Sequence, residues 1–400
     1  MNEGGEARFA VVVALLHKGA PVNLAIDKAT SLAVSPPAPS HVDYAPGAPE
    51  NFAEEPKMRR YNKYHPRVLI DNPTVTAEIR RVAVHSIKTI AAGVAACAYI
   101  LIMALMVRPT AAAPVIKHVF IIAMENTDTK QIYGNVSAPY INQFIIPKYA
   151  RAENFNNPLP IEIPSEPHYI WMEAGTNAFS DRTFLNNDDP APRNSTASRD
   201  HLVTQIENSK KLSWITYQQG ISQATGQCPI VSSFPYAAKH NPFVFFQDVS
   251  GNAPTKDNDL CKSHTKPYSE FETDLAANRM ANYVFITPDL CNDMHGDQRC
   301  PKVARVMAGD RWLSAELPRI VEWVHKNSGV IFIVWDEGSS TTKIPFLAIG
   351  PGVKANYASS VTFNHGSLVR TIEDIFELPT LPAVSKESNL ADMFTPGSFP

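Results

Sequence analysis

The sequence predicts an α/β fold with a mostly parallel central sheet flanked by helices. Three observations carry this. Short continuous apolar runs at Val119–Met124, Tyr283–Thr287 and Val330–Trp335 read as strands buried on both faces. Helix-like stretches alternate with them, which implies parallel strands joined by right-handed crossovers. Each run ends in polar or acidic residues: Glu125-Asn126, Pro288-Asp289 and Asp336-Glu337. In such sheets ligands bind beyond the carboxyl ends of the strands.

Composition supports a packed core. Of 400 residues, 44% are hydrophobic and 19% charged, which excludes wholesale disorder. The 33 prolines argue against long helical bundles and coiled coils. A net charge of −3 argues against a nucleic-acid binder, so no nucleic acid is expected as a partner.

The amino-terminal region divides from the rest. Residues 1–87 are rich in proline, with seven between Ser31 and Pro66, and read as disordered or as lying upstream of the true start. That start is expected nearer residues 58–84. Residues 88–113 read as a signal peptide or a transmembrane anchor. Thr89–Val107 carries no charge over 19 residues, Arg80, Arg81 and Lys88 precede it, and Ala111-Ala112-Ala113 follows. The basic flank places the remainder outside the cytoplasm, secreted, periplasmic or membrane-anchored. Residues 114–400 form the expected globular unit.

Its elements follow in order. After the strand Val119–Met124, a helix-like stretch covers Pro139–Tyr149. A helix follows over Tyr169–Ala174, with Ser165 near its start ahead of Pro167. Asp200–Lys210 reads as a helix and Trp214–Tyr217 as a strand. Tyr283–Thr287 is a strand, and Arg311–Lys326 a helix interrupted by Pro318. Val330–Trp335 is the clearest strand. Phe346–Ile349 is another, and Ser367–Leu378 is a closing amphipathic helix.

The acidic strand ends carry the chemistry. Glu125-Asn126 or Asp336-Glu337 alone could be ordinary turn residues, because Asp and Asn bond local backbone. Carboxylates brought from separate strands to one edge repel one another unless a cation sits between them. Oxygen-rich clusters suit divalent cations, which polarise phosphoryl oxygens. Ser165 is either an ordinary helix cap or a hydroxyl set against free N–H groups, a place that favours phosphate. Asp289, Asp293 and His295 crowd into seven residues. Lys239 and His240 add a cation and an imidazole, and His365 precedes the last helix. His118, His201, His264 and His325 lack such neighbours and read as structural or surface groups. The chain has no C-x-P-x-R, G-x-S-x-G, Walker A or H-E-x-x-H motif.

Taken together, His118-Val-Phe-Ile-Ile-Ala-Met-Glu125-Asn126, Pro164-Ser165-Glu-Pro-His-Tyr169, Lys239-His240-Asn-Pro-Phe243, Thr287-Pro-Asp289-Leu-Cys-Asn-Asp-Met-His295, Trp335-Asp336-Glu337 and Asn364-His365 through Phe376 form a pattern. Over residues 116–395 it resembles the phosphoesterase family of bacterial acid phosphatases and phospholipases C, within the alkaline-phosphatase-like superfamily. The resemblance implies a hydrolase of phosphoric esters. It implies that Ser165 attacks phosphorus and carries the phosphoryl group, and that a divalent metal ion is held by Glu125, Asn126, Ser165, Asp336 and Glu337. His240 and His295 match positions that contact phosphate or assist the leaving group. His168, Lys239, Asp289, Asp293 and His365 are the expected substrate-binding residues. His168 stands where the family often has Asn, and Glu337 where some relatives have Asp. The expected substrate is a small or phospholipid-derived phosphate ester, with membrane contact through residues 88–113 if these are uncleaved. Two other readings are a phospholipase C-type phosphodiesterase and a non-catalytic envelope protein binding phosphorylated lipids or sugars.

Cys97 lies in the apolar segment, which leaves four cysteines beyond residue 113. Four allow three pairings. The two short loops favour Cys228–Cys261 and Cys291–Cys300, the second bracing the segment with Asp293 and His295.

Overall fold

A computed structural model describes residues 116–221 and 226–400. The expected disorder or late start in residues 1–87, the signal or anchor at 88–113, and Cys97 all lie outside the described residues. Among the described residues, no helix is long and apolar enough to cross a membrane.

The centre is a nine-stranded sheet. Its strands are β1 (His118–Met124), β2 (Ala150–Asn156), β3 (Trp214–Gln218), β4 (Thr265–Pro267), β5 (Tyr283–Thr287), β6 (Gly329–Trp335), β7 (Lys343–Ile344), β8 (Phe346–Ile349) and β9 (Tyr357–Asn364). The order is β4-β3-β5-β1-β6-β8-β2, with β7 also against β2 and β9 on its other side. All neighbours are parallel except where β7 and β8 run against theirs. The predicted mostly parallel α/β class is therefore the observed one. β5 and β6 are buried throughout and β1 almost so, which is why they read as unbroken apolar runs.

Among the described residues, four helices of eight residues or more flank the sheet: α1 (Ser165–Ala174), α2 (Leu202–Ser209), α3 (Arg305–Lys326) and α4 (His365–Phe376). α1 packs on α4, and α3 packs on β6. Nine of the ten residues of α1 are buried. The helix stops at Gly175, whose φ is +69°. A Cβ there would meet Val384 Cγ1 at 2.1 Å, so only glycine fits.

Several expectations need correction. α3 is not interrupted at Pro318 and runs from Arg305 to Lys326. Proline removes one bond to the Ser314 carbonyl, but both residues are exposed, so water replaces the partner. Leu313, Leu317, Ile320 and Val324 meanwhile hold the opposite face in the core. The 139–149 stretch is a short π-helical turn, Ile141–Ile145. Its start is fixed by Asp310 of α3, which accepts from the N–H groups of Tyr140 and Ile141, both at 2.9 Å. α4 begins at His365, capped by Asn364, whose side chain accepts from Ser367 N at 3.1 Å. β2 and β9 were not predicted. Their partly exposed, polar sequences lack the apolar run of the inner strands.

His201 is structural, as its lack of neighbours in sequence suggested, but it is not isolated in space. Its ring is fully buried, with Nδ1 3.0 Å from Glu173 Oε1 and Nε2 3.1 Å from Asp248 Oδ1. It lies over Phe246 at 3.8 Å. The pair of carboxylates outweighs burial, which acts in the opposite direction, and raises the imidazole above its ordinary value. A raised imidazole contributes stability that is complete below the unfolded pKa of about 6.5 and fades as pH rises through the folded value. Thermal melts of His201→Gln should therefore fall furthest below wild type near pH 5.5. The gap should narrow at pH 8.5; an equal gap at both would remove the ion pairing from the account.

Candidate active site

The strand register builds the site. Met124 of β1 pairs with Trp335 of β6, so Glu125 and Asp336 leave adjacent strands side by side. The two loops are then laced together. Asn126 N donates to Asp336 Oδ1 at 3.0 Å, and Asn126 Nδ2 donates to Glu337 Oε1 at 2.8 Å. Thr127 N donates to the Glu337 carbonyl at 3.1 Å. Asp128 accepts from Ser340 N and Thr341 N at 3.0 and 3.1 Å. Asn126 takes a positive φ of 36°, a conformation few side chains adopt readily. Gly338 is also required: a Cβ there would lie 1.9 Å from the Thr341 carbonyl oxygen.

Ser165 is the first residue of α1, and Pro164 occupies the cap position. Its hydroxyl does not cap the helix. Its Oγ lies 3.1 Å from Glu125 Oε2 and 3.2 Å from Glu337 Oε1. The start of the helix thus presents the hydroxyl to the carboxylates.

The loop after β5 supplies a further carboxylate. Asp293 is fully buried, and Glu125 N donates to its carbonyl at 2.8 Å. Asp293 Oδ1 accepts from His295 N at 2.7 Å. His240 lies between Glu125 and Asp293: Nε2 is 3.2 Å from Glu125 Oε1, without hydrogen-bond alignment, and Nδ1 is 3.7 Å from Asp293 Oδ2. Tyr169 stacks on the His240 ring at 5.0 Å. His295 lies 6.0 Å from it, ring to ring, and its Nδ1 contacts the Gly296 carbonyl at 2.6 Å. The Cys291–Cys300 bond closes this loop, and Cys228–Cys261 is the other disulfide, the pairing expected from sequence.

Four carboxylates share this buried edge. Burial pushes Glu125 and Asp293 well above the usual carboxylate range, and neighbouring carboxylates, Asp336 foremost, push both further. Burial raises Asp336 to about 6; burial and the charge of Asp336 raise Glu337 to about 8. Burial also holds His240 well below the ordinary imidazole value, with His295 and Lys239 adding to it. Burial lowers His168 to about 4 and His365 to about 3.

Several polar atoms of the cluster are left unsatisfied. Glu125 Oε1, Asn126 Oδ1, Asp293 Oδ2, Asp336 Oδ2 and His240 Nε2 are buried without hydrogen-bond partners. Ligand atoms of Glu125, His240 and Asp293 lie within 4.8 Å of one another. Such acceptors, left bare in a buried place, fit a divalent cation.

The remaining candidates are distributed unevenly. His168 Nε2 contacts the Ile163 carbonyl at 3.2 Å and lies 3.6 Å from Glu337 Oε2. His365 is buried beside it, with Nε2 2.9 Å from the Trp335 carbonyl. Lys239 is partly buried next to His240. Asp289 is turned inward to its own loop, where Oδ1 accepts from Cys291 N and Asn292 Nδ2, both at 3.0 Å. Sequence reasoning passed over Tyr169, Asp128 and Arg305. Only the Ser165-to-Tyr169 spacing of one helical turn hinted at any of them. A cavity of about 620 Å³, lined by Thr204, Gln205, Leu378 and Pro379 among others, shares no residue with this cluster.

Residues 148–379 match the model of the phosphoesterase family. The chain is 27% identical over 285 residues to a phosphatidylinositol-3-phosphatase of Mycobacterium tuberculosis, covering 71% of this chain and 84% of that one. It is 22% identical over 290 residues to a probable acid phosphatase of Kluyveromyces lactis, covering 69% of this chain and 62% of the relative, less than two thirds of its length. A solved structure from the alkaline phosphatase superfamily of Vibrio parahaemolyticus superposes with a TM-score of 0.44 at 9% identity, over 69% of this chain and 72% of that one.

The cluster generates a prediction about cations. Adding a divalent cation to metal-depleted protein should raise its melting temperature by relieving the repulsion among the carboxylates. Asp336→Asn should weaken cation binding by more than about tenfold. Unchanged affinity in that variant, measured calorimetrically, would remove Asp336 from the ligand set.

Proposed function

The chain belongs to the phosphoesterase family, hydrolases of phosphoric ester bonds, and on that premise we propose that it is an exported, metal-dependent acid phosphatase acting on monoesters through a phosphoserine. The single observation that carries this reading is the placement of Ser165 Oγ between two buried carboxylates, 3.1 Å from Glu125 and 3.2 Å from Glu337, at the start of a buried helix.

In this reading Ser165 Oγ attacks phosphorus as the bond to the leaving oxygen breaks, and its proton has two carboxylate acceptors within hydrogen-bonding distance. Water then attacks the phosphoserine and releases phosphate. Glu125, Asn126, Ser165, Asp336 and Glu337 would hold the divalent cation, with Asp293 and His240 beside them. When bound, it would supply charge stabilisation to the phosphoryl oxygens and lower the pKa of the Ser165 hydroxyl. His240 and His295 contact phosphate and assist the leaving group, and Tyr169 keeps the His240 ring in place by stacking. On the substrate side we place His168, Lys239 and His365, with Asp293 acting through its hold on His295.

Small phosphate esters, including phospholipid-derived ones, are the proposed substrates. Two disulfides support an oxidising compartment, and hence export. The relative from Mycobacterium tuberculosis is called a phosphatidylinositol-3-phosphatase, which favours a monoester over a diester.

Ser165→Ala should lower hydrolysis of p-nitrophenyl phosphate by about a thousand-fold or more. Chelation should have a comparable effect, reversed by adding cation back. Wild-type protein should act on p-nitrophenyl phosphate and leave phosphatidylcholine intact. Full activity of Ser165→Ala would dismiss the serine mechanism, and turnover of phosphatidylcholine would favour the diesterase instead.

A further inference from the structure

Arg305, the first residue of α3, belongs to none of the sequence motifs, yet its guanidinium reaches both acidic loops. Nη1 donates to the carbonyl of Asn126 at 2.8 Å, to Thr127 Oγ1 at 3.1 Å and to the carbonyl of Met294 at 2.7 Å. Two of these acceptors belong to residues in strained conformations. Asn126 has a φ of 36° and Met294 a φ of 79°, both in the region side chains avoid. Each follows or precedes a cluster member directly: Asn126 comes after Glu125, and Met294 lies between Asp293 and His295.

The first turns of α3 are shaped to receive the Met294 loop. A Cβ on Gly309 would meet Met294 Cγ at 2.3 Å and the Asn292 carbonyl oxygen at 3.0 Å, so the helix needs bare backbone there. Gly309 lies one turn after Arg305, on the same face of the helix. A Cβ on Gly296 would lie 3.2 Å from Arg305 Cβ, so the loop also approaches from its own side. Arg305 is half-buried; burial lowers its guanidinium from the ordinary value, and the charges of Asp128, Asp293, Glu125 and Asp336 act in the opposite direction.

We propose that Arg305 is a positioning residue that clamps the Glu125-Asn126 and Asp293–His295 loops together and so sets the geometry of the cation site at Glu125 and Asn126, with Asp293 and His240 beside it. The inference rests on the metal-dependent reading above. Arginine suits the task because its planar guanidinium fixes the directions of the two Nη1 hydrogens that these three acceptors share, which the rotating ammonium of a lysine does not. Its fixed charge also offsets part of the repulsion in the carboxylate cluster without occupying a ligand position. Its guanidinium bonds are made to Asn126, Thr127 and Met294, away from the Ser165 hydroxyl.

The test compares wild type, Arg305→Lys, Arg305→Met and Arg299→Ala as purified full chains. Arg299 sits in the Cys291–Cys300 loop that carries Met294, where it pairs with half-buried Asp297 and lies over the Phe234 ring at 3.9 Å. Affinity for manganese or zinc alone is measured by calorimetry, followed by kcat and KM for p-nitrophenyl phosphate at saturating metal. The expected result is a loss of metal affinity of about 10–100-fold in Arg305→Met, partly recovered in Arg305→Lys. The expected kinetic change at saturating metal is in kcat, with KM nearly unchanged. Arg299→Ala should match wild type. Wild-type metal affinity in both Arg305 variants would overturn the inference while leaving the metal reading intact. An equal loss in Arg299→Ala would overturn it too, as mere loosening of the loop. If Arg305→Met does not fold, Arg305→Lys alone decides: an affinity equal to wild type contradicts the clamp. Failure of wild-type protein to bind either metal would overturn the metal reading itself, and the inference with it.

Discussion

Repulsion among four buried carboxylates is the constraint around which this molecule is arranged. Glu125, Asp293, Asp336 and Glu337 come from three separate strand ends and meet in a place that water hardly reaches. Bringing ionised groups out of water is costly, and bringing like charges together compounds the cost. The result is visible in their raised protonation ranges and in the acceptor atoms left bare. A protein keeps such an arrangement when something positively charged compensates it. Here Arg305 supplies a fixed part, and a divalent cation is the proposed remainder.

The fold makes the cluster possible. Parallel strands deliver their carboxyl ends to one edge, and the β1–β6 register sets Glu125 beside Asp336 with no further adjustment. The loops beyond are then held by backbone bonds, by Asp128 on the Ser340-Thr341 turn, and by glycines where side chains would collide. α1 brings Ser165 to the same edge from behind. Its far end is secured by the Glu173–His201–Asp248 network and by Gly175 against Val384. Stability and chemistry are thus supported by one helix, with its first residue facing the cluster and its last turn anchored in the core.

Much of this was legible in the sequence, for physical reasons. Strands buried on both faces must be apolar throughout, so β1, β5 and β6 announced themselves, and so did the acids that end them. Glycine after Asp336-Glu337 marked the tight turn. The outer strands β2 and β9 did not, since half-exposed strands carry polar residues that look like loop. Pro318 misled because a proline on a solvent-facing helix surface costs one bond that water can replace. Within the site, residues that act through backbone carbonyls left no signature. Arg305 lies among other surface cations in sequence, and only its three acceptors distinguish it. His201 likewise needed two partners distant in sequence before its role could be seen.

A cation that binds these carboxylates must displace protons from them. Groups raised by burial and mutual repulsion must lose protons when a cation binds. Calorimetric titration of metal-depleted protein at pH 6.5, repeated in buffers of different ionisation enthalpy, counts the protons released per bound ion. The account predicts saturable binding with net proton release that diminishes as pH is raised. Binding without proton release, or no binding at all, would contradict it.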